Sequence, residues 1–162
     1  MRELPYLVLS VSVTTRPPRP GDVEGESYHF VTDEEFDELI RSQSLCEWAQ
    51  VYGHRYGTLT ERVTETLAAG QDLILEIDYQ GFDQIAGHFE DVLSIFIAPP
   101  SLEELRRRLE RRGTETIESI ERRLQAAQVE MEAMQRYTVV IVNDDQKKAT
   151  EELVSVLKKK SS

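Results

Sequence analysis

The sequence has no lysine in its first 146 residues, because all five lysines lie at or beyond Lys147. A phosphate-binding loop of the form G-x-x-x-x-G-K-[ST] uses backbone amides and a lysine to hold nucleotide phosphates. The 162 residues therefore contain no such loop. Any phosphate chemistry of these residues has to rely on arginine.

Cysteine is also scarce. It occurs once, at Cys46, which excludes an internal disulfide and a zinc site built from cysteines. With apolar neighbours, Cys46 is expected to be a buried structural thiol. No apolar run reaches the roughly 18 residues of a membrane span, and the N-terminus shows no signal-peptide pattern, so we expect a cytoplasmic protein without a membrane partner. The histidines have no metal-ligand spacing.

Positive charge is in the minority. The formal net charge of −11 argues against a nucleic-acid or anionic-membrane partner. An anionic substrate would need local clusters of arginine, and the sequence has them at 16/19, 106–112 and 122/123. The length suits one domain, and a hydrophobic share of 40% is typical of a globular protein with a core.

Apolar periodicity indicates strands alternating with amphipathic helices. Strands are predicted at residues 7–14, 45–52, 71–77, 92–98 and 138–142, and a turn at 53–57. Helices are predicted after the Thr32/Glu35 capping box, from about Thr60, after Ser101, from about Thr116 to Arg136, and after residues 143–145. The strands at 71–77 and 92–98 are expected to be fully buried. This pattern predicts an α/β fold with a parallel sheet.

The segment Arg16-Pro17-Pro18-Arg19-Pro20-Gly21 follows the first strand. Its three prolines restrict the backbone, so we expect both guanidinium groups to project outward. Two planar forks a few residues apart suit a phosphate or a carboxylate, each of which they can bind bidentately. The ordinary alternative is a solvated loop with incidental charge.

Several long motifs occur in a fixed order: SVSVTTRPPRPGDVEGESYHF, LCEWAQVYGHRYGT, LILEIDYQG, IFIAPPSLEELRRRLERRGTE and VIVNDD. Together they resemble the guanylate kinase family over nearly the whole chain. The resemblance implies a parallel sheet like that of P-loop nucleoside-monophosphate kinases, without the family's first strand, phosphate-binding loop and helix. It also implies a single domain, 1–162, with a core at 1–18 and 70–162, a GMP-binding lobe at about 19–69 and a lid at about 108–125.

The resemblance assigns the acceptor site. The residues that it implies for the GMP phosphate are Arg16, Arg19, Tyr28 and Tyr56. Those implied for the guanine edge are Ser12, Glu47 and Thr58. A carboxylate at Glu47 can accept from the N1–H and 2-amino groups of guanine, a donor pair that adenine lacks. Without the family, a solvated strand carboxylate would be the ordinary interpretation of Glu47.

The resemblance also implies a donor site that uses Mg²⁺ with ATP. Glu76 and Asp78, expected on one face of one strand, would contact Mg²⁺ through water and contact GMP, with no direct metal ligand. Asp78, Arg108, Arg112 and Arg123 would be catalytic. Arg108, Arg112 and Asn143 would bind ATP, with Asn143 near the adenine; alone, Asn143 would be a helix cap.

The implied reaction is ATP + GMP giving ADP + GDP, with GMP or dGMP as acceptor. Without a Walker A loop, we expect GMP binding to persist and turnover to be impaired. A misplaced start or a genuine short form would explain the missing loop, and the first is favoured because the donor-site residues are retained. The alternatives are a non-catalytic module that binds GMP or phosphopeptides, and a chain that does not fold alone.

Overall fold

The computed structural model describes residue 4 and residues 6–89, 91–113 and 116–160, without the side chain of Arg112. The chain divides between residues 90 and 91 into two compact units. Each unit contains helices and a parallel pair of strands. The predicted α/β class is therefore confirmed.

The first unit contains two sheets. Its elements are β1 (Leu7–Leu9), β2 (Val13–Thr14), β3 (His29–Phe30), α1 (Asp33–Arg41), β4 (Leu45–Val51), β5 (His54–Leu59), α2 (Thr60–Ala68), β6 (Asp72–Ile74) and α3 (Tyr79–Ala86). β1 pairs with β6 in parallel, while β3, β2, β5 and β4 form a second sheet in that order. Val13 and Phe36 are almost completely buried in this unit.

The predicted first strand is divided between these two sheets. β1 ends at Leu9, although the amide of Ser10 still donates to the carbonyl of Ile74 at 2.9 Å. β2 then begins at Val13 and pairs with β3 and β5. Burial does not follow the alternation of the sequence across the break, because Leu9 is 37% exposed while the neighbouring Val13 and Thr14 are both buried.

A tight hairpin joins β4 to β5. Its turn residues, Tyr52 and Gly53, have φ values of +51° and +86°, and Val51 pairs with His54. Two central residues with positive φ give the twist that suits a two-residue hairpin. The predicted turn at 53–57 is therefore wrong, since β5 already begins at His54.

Local capping rules define the helices. Thr32 and Glu35 form the predicted capping box: the Glu35 amide donates to Thr32 Oγ1 at 3.2 Å, and the Thr32 amide donates to Glu35 Oε2 at 2.7 Å. Ser101 caps the fourth helix through the amide of Glu104 at 3.1 Å, and that helix ends at Gly113, whose φ is +64°. These ends were predicted and are confirmed.

The second unit contains β7 (Ile95–Ala98), α4 (Leu102–Arg112), α5 (Ile117–Ala133), a 3₁₀ turn (Met134–Arg136), β8 (Val139–Val142) and α6 (Gln146–Lys160). β7 and β8 pair in parallel. Leu109, Ile120 and Leu124 pack together between α4 and α5. Asp145, not Asn143, caps α6, because its Oδ1 accepts from the amide of Lys148 at 2.9 Å.

The expectation of fully buried strands at 71–77 and 92–98 is wrong. β6 is shorter than predicted, and its apolar residues Leu73 and Ile74 are only half-buried. In β7, 47% of Ile97 is exposed. Within the described residues, no helix combines the length and apolar character needed to cross a bilayer.

Candidate functional site

A cavity of about 210 Å³ opens in the first unit, where β1 gives way to β2. It is lined by six of the predicted site residues: Ser12, Tyr28, Glu47, Tyr56, Glu76 and Asp78. They come from separate segments of the chain. The structure thus brings together residues that the sequence places up to 66 positions apart (78 − 12).

Glu47 is the buried acid of this cavity, with only 4% of its surface exposed. Glu47 and Thr58 lie opposite each other on β4 and β5, and the Thr58 hydroxyl donates to Glu47 Oε1 at 2.5 Å. Burial raises the pKa of Glu47, the Thr58 hydrogen bond opposes this rise, and the nearby charge of Asp78 adds to it. The second oxygen, Oε2, faces α3.

Gly81 in α3 leaves room for the Glu47 carboxylate. A Cβ atom built on Gly81 would lie 2.5 Å from Glu47 Oε2 and 3.1 Å from the Cβ of Ile77. The Gly81 amide also donates to Oδ1 of Asp78, the N-cap of α3, at 2.9 Å. Only a residue without a side chain allows α3 to approach the acid this closely.

Gln84 fixes α3 to the edge of β4. Its Oε1 accepts from the backbone amide of Trp48 at 3.1 Å, and its Nε2 donates to the Trp48 carbonyl at 2.8 Å. The side-chain amide thus pairs with Trp48 as a neighbouring strand would. Because Trp48 follows Glu47 in sequence and Gln84 lies three residues after Gly81, this pair holds the two close-packed residues in register.

The arginines of the predicted phosphate site differ in exposure. Arg16 is buried, with 7% exposed, and its Nη2 donates to Asp22 Oδ2 at 2.9 Å. Its guanidinium also lies over the ring of Tyr28, 5.2 Å from the centroid. The expectation that both arginines project outward is therefore wrong for Arg16, whose charge Asp22 neutralises, while Arg19 is exposed.

The two predicted phosphate-binding tyrosines lie side by side. The ring centroids of Tyr28 and Tyr56 are 5.9 Å apart in an edge-to-face arrangement, and both residues are half-buried. Although burial of Arg16 acts against its charge, the hydrogen bond and charge of Asp22 and the nearby Tyr56 raise the pKa of Arg16. Two phenols therefore line the cavity, and a permanent cation packs against one of them, Tyr28.

Glu76 and Asp78 both line the cavity, but they do not share a strand. β6 ends at Ile74, and Asp78 caps α3, so the expectation of alternate residues on one strand is wrong. Glu76 is exposed, and Asp78 accepts from the Gly81 amide and, at 2.8 Å, from Gln80 Nε2. Across the described residues, no three acidic, histidine or cysteine side chains converge into a metal-binding cluster.

Two residues of the predicted ATP site meet in the second unit. Arg108 Nη1 donates to the backbone carbonyl of Asn143 at 2.7 Å, and Nη2 donates to that of Asp144 at 3.2 Å. Glu104 Oε1 accepts from Arg108 Nε at 2.8 Å. Arg108 thereby ties α4 to the turn between β8 and α6.

The remaining predicted arginines lie on the two packed helices of the second unit. Arg112 ends α4, but its side chain lies outside the described part of the structure. Arg123 is half-buried on α5. Their assignment to catalysis stays a prediction.

Sequence reasoning missed four residues of the cavity region: Ser10, Asp22, Gly81 and Gln84. Glycine inside an amphipathic helix pattern signals a close approach, which could have identified Gly81. An acid three residues after Arg19 in a proline–glycine turn could have indicated Asp22. Ser10 and Gln84 carry no comparable signal. The Ser10 hydroxyl is buried at the cavity, with no hydrogen-bond partner among the described residues.

The single thiol lies close to the acid. Cys46 Sγ donates to the Thr58 carbonyl at 3.4 Å, and burial together with the charge of Glu47 raises the pKa of Cys46 to about 11. The thiol is therefore protonated at neutral pH, which does not suit a nucleophile.

The raised pKa of Glu47 makes a prediction about stability. Its contribution to the free energy of unfolding is full below the pKa of the unfolded chain and is lost as pH rises through the higher folded value. Glu47→Gln does not titrate, so its stability relative to the wild type should increase with pH across this window. Urea unfolding of both proteins between about pH 4 and pH 8 measures the difference, with the exposed Glu61→Gln as control. A difference that does not change with pH would contradict this account.

Comparison with known proteins identifies a family match over nearly the whole chain. Residues 3–160 match the family model described as guanylate kinase. Among curated proteins, a guanylate kinase of Thermobifida fusca is 48% identical over 96% of this chain and 80% of its own length. One from a Synechococcus strain is 50% identical over 94% of this chain and 70% of its own length.

A solved structure shows the same fold. The crystal structure of guanylate kinase from Anaplasma phagocytophilum superposes with a TM-score of 0.81 and is 37% identical. The match covers 97% of this chain and 77% of that chain.

Proposed function

Because the chain belongs to the guanylate kinase family, we propose that its activity is the ATP-dependent phosphorylation of GMP, which gives ADP and GDP. The observation that carries the acceptor site is the buried carboxylate of Glu47, which faces the same cavity as Tyr28 and Tyr56. A buried carboxylate suits the guanine edge of the nucleotide, and a pair of phenols beside a cation suits its phosphate.

In this proposal the guanine edge binds to the acid. Glu47 accepts from N1–H and the 2-amino group, and Thr58 fixes the carboxylate through its hydrogen bond to Oε1. Ser12, which also lines the cavity, supplies a hydroxyl to the base. Adenine offers no matching donor pair, so the buried carboxylate would remain unpaired with AMP.

The phosphate of GMP would bind to Arg16, Arg19, Tyr28 and Tyr56. Guanidinium forks neutralise a dianion bidentately, and phenols donate single hydrogen bonds to the remaining oxygens. Three of these residues are already packed together: Arg16 lies over Tyr28, and Tyr28 contacts Tyr56. Fixed donors reduce the entropy that binding would otherwise cost.

The second unit would supply the donor side. Arg108, Arg112 and Arg123 would neutralise charge on the phosphates during transfer, and Asn143 would lie near the adenine of ATP. The contact between Arg108 and the Asn143 carbonyl supports a shared role. Mg²⁺, when bound with ATP, would neutralise charge on the phosphates during transfer. The described carboxylates fit contact through water, because Asp78 is engaged by hydrogen bonds while Glu76 is exposed.

A polypeptide restricted to residues 1–162 should bind GMP but transfer phosphate slowly. It contains no G-x-x-x-x-G-K-[ST] sequence, whose amides and lysine position ATP phosphates in related chemistry. The cytoplasmic location and the single domain with its lobe and lid stay predictions.

The test is calorimetric titration of this polypeptide with GMP and AMP, followed by a coupled assay with Mg²⁺–ATP. We expect heat with GMP, none with AMP, and slow GDP formation. Absence of binding to GMP would refute the acceptor site, and stronger binding to a phosphopeptide would favour an interaction module. Normal turnover would refute only the predicted impairment of catalysis and would leave the proposed acceptor site standing.

A further inference from the structure

Asp22 occupies a central position beside the predicted phosphate site. Its Oδ2 accepts from the backbone amide of Arg19 at 2.7 Å and from Arg16 Nη2 at 2.9 Å. Its own amide donates to the Arg19 carbonyl at 3.0 Å. Two of these bonds close the proline–glycine turn around Asp22, and the third joins the turn to the buried guanidinium.

The Arg16 side chain is fixed by these contacts. Its Nη1 donates to the Pro17 carbonyl at 2.9 Å, and its guanidinium lies over the rings of Tyr28 and Phe30. These contacts determine the height of the group above the rings. Rotation within its plane is opposed by the bond of Nη1 to Pro17 and by the bond of Nη2 to Asp22, and Tyr56 also interacts with the guanidinium. Asp22 is the only carboxylate paired with Arg16 in the described residues.

On the premise of the proposed function, we propose that Asp22 is a positioning residue that orients the Arg16 guanidinium for the phosphate of GMP. Asp22 itself need not touch the nucleotide. The Arg19 amide anchors its Oδ2, and that anchored oxygen sets the direction of the Arg16 fork. A fork that is already oriented loses less conformational freedom when an oxyanion binds.

Two effects of the Asp22 charge oppose each other. A carboxylate near a bound phosphate repels it, so removal of its charge would strengthen binding if repulsion dominated. However, the Arg16 side chain is 8% exposed, and without a partner a buried cation tends to turn toward water. Because bidentate binding depends on the angle of the fork, we expect the loss of orientation to outweigh the relief of repulsion.

The test measures GMP dissociation constants by calorimetry for the 162-residue polypeptide and its variants. Asp22→Asn keeps the shape but removes the charge, and should raise the Kd for GMP about tenfold. Asp22→Glu restores a carboxylate and should lie within about threefold of the wild type. Asp37→Asn, which removes a partner of Arg55 at 2.5 Å in the same unit, should change the Kd less than about twofold.

A double-mutant cycle shows whether Asp22 acts through Arg16. In an Arg16→Gln background, Asp22→Asn should have less than about a threefold effect, whereas an independent role would leave the roughly tenfold effect intact. An unchanged or lower Kd for Asp22→Asn in the wild-type background would overturn the inference. If the wild type itself does not bind GMP, the proposed function fails and the inference about Asp22 fails with it. If the wild type binds GMP and Asp22→Asn has no effect, only the inference fails.

Discussion

Replacing Glu47 by glutamine should raise the dissociation constant for GMP about 100-fold, because the guanine edge would lose a charged acceptor. Hydrogen bonds to a charged group contribute about 1.5–3 kcal/mol each, and the loss of about 3 kcal/mol corresponds to about 100-fold in Kd. The glutamine amide would also direct N–H groups at the two donors of the base. Calorimetric titration of both proteins with GMP measures the change.

The fold should tolerate this substitution. The glutamine side chain would keep an oxygen that accepts from the Thr58 hydroxyl, and a buried charge would disappear from a site that is 4% exposed. IMP, which lacks the 2-amino group, serves as the matched ligand. The wild type should prefer GMP to IMP, and Glu47→Gln should lose most of that preference. Equal affinity of both proteins for GMP would mean that Glu47 does not recognise the base.

Short-range rules explain the parts of the fold that could be predicted from sequence. The Thr32/Glu35 capping box and the Ser101 cap depend on residues three apart, and Gly113 adopts a conformation that few other residues tolerate. Because these residues mark the ends of helices, the helices that they delimit could also be predicted. The same rules could not choose the cap of α6, because the three adjacent polar residues at 143–145 can each fill that position and only the fold selects Asp145.

The errors have a different physical origin. Residues 7–14 alternate as one strand, but β1 and β2 pair with partners from different parts of the chain, and the break follows from that pairing. The Tyr52–Gly53 turn places a non-glycine residue, Tyr52, at positive φ, and no pattern in the sequence predicts this conformation. Arg16 was expected to project outward. It is buried instead because Asp22, the charge that allows its burial, becomes a neighbour only when the turn closes.

The candidate site likewise has a part that could be predicted from the sequence and a part that could not. The residues proposed to bind a guanine nucleotide could be identified from the ordered motifs. Their geometry could not, because Glu47 meets Thr58 only through the β4–β5 register and meets Gly81 only through the packing of α3. Gly81 has no side chain that could indicate its role in the sequence. Its role becomes clear only in the structure, where a Cβ atom at this position would contact Glu47.

Replacing Gly81 by alanine should therefore weaken GMP binding on the order of 50-fold, since displacing a positioned group by about 1 Å can cost about 100-fold. The new Cβ would lie 2.5 Å from Glu47 Oε2, a separation that forces the carboxylate to move. Calorimetry with GMP measures the loss. Stability should not fall in parallel, because alanine is favoured over glycine in a helix by about 1 kcal/mol.

Two controls separate displacement of the acid from a general change in α3. Gly87→Ala places a Cβ in open space at the end of the same helix and should leave the Kd for GMP within about twofold. In a Glu47→Ala background, Gly81→Ala should add less than about threefold, because no carboxylate remains to be displaced. A full additional loss in that background would show that Gly81 acts on the nucleotide directly. The expected non-additivity would instead show that Gly81 acts through Glu47, by leaving the space that the carboxylate occupies when it binds the base.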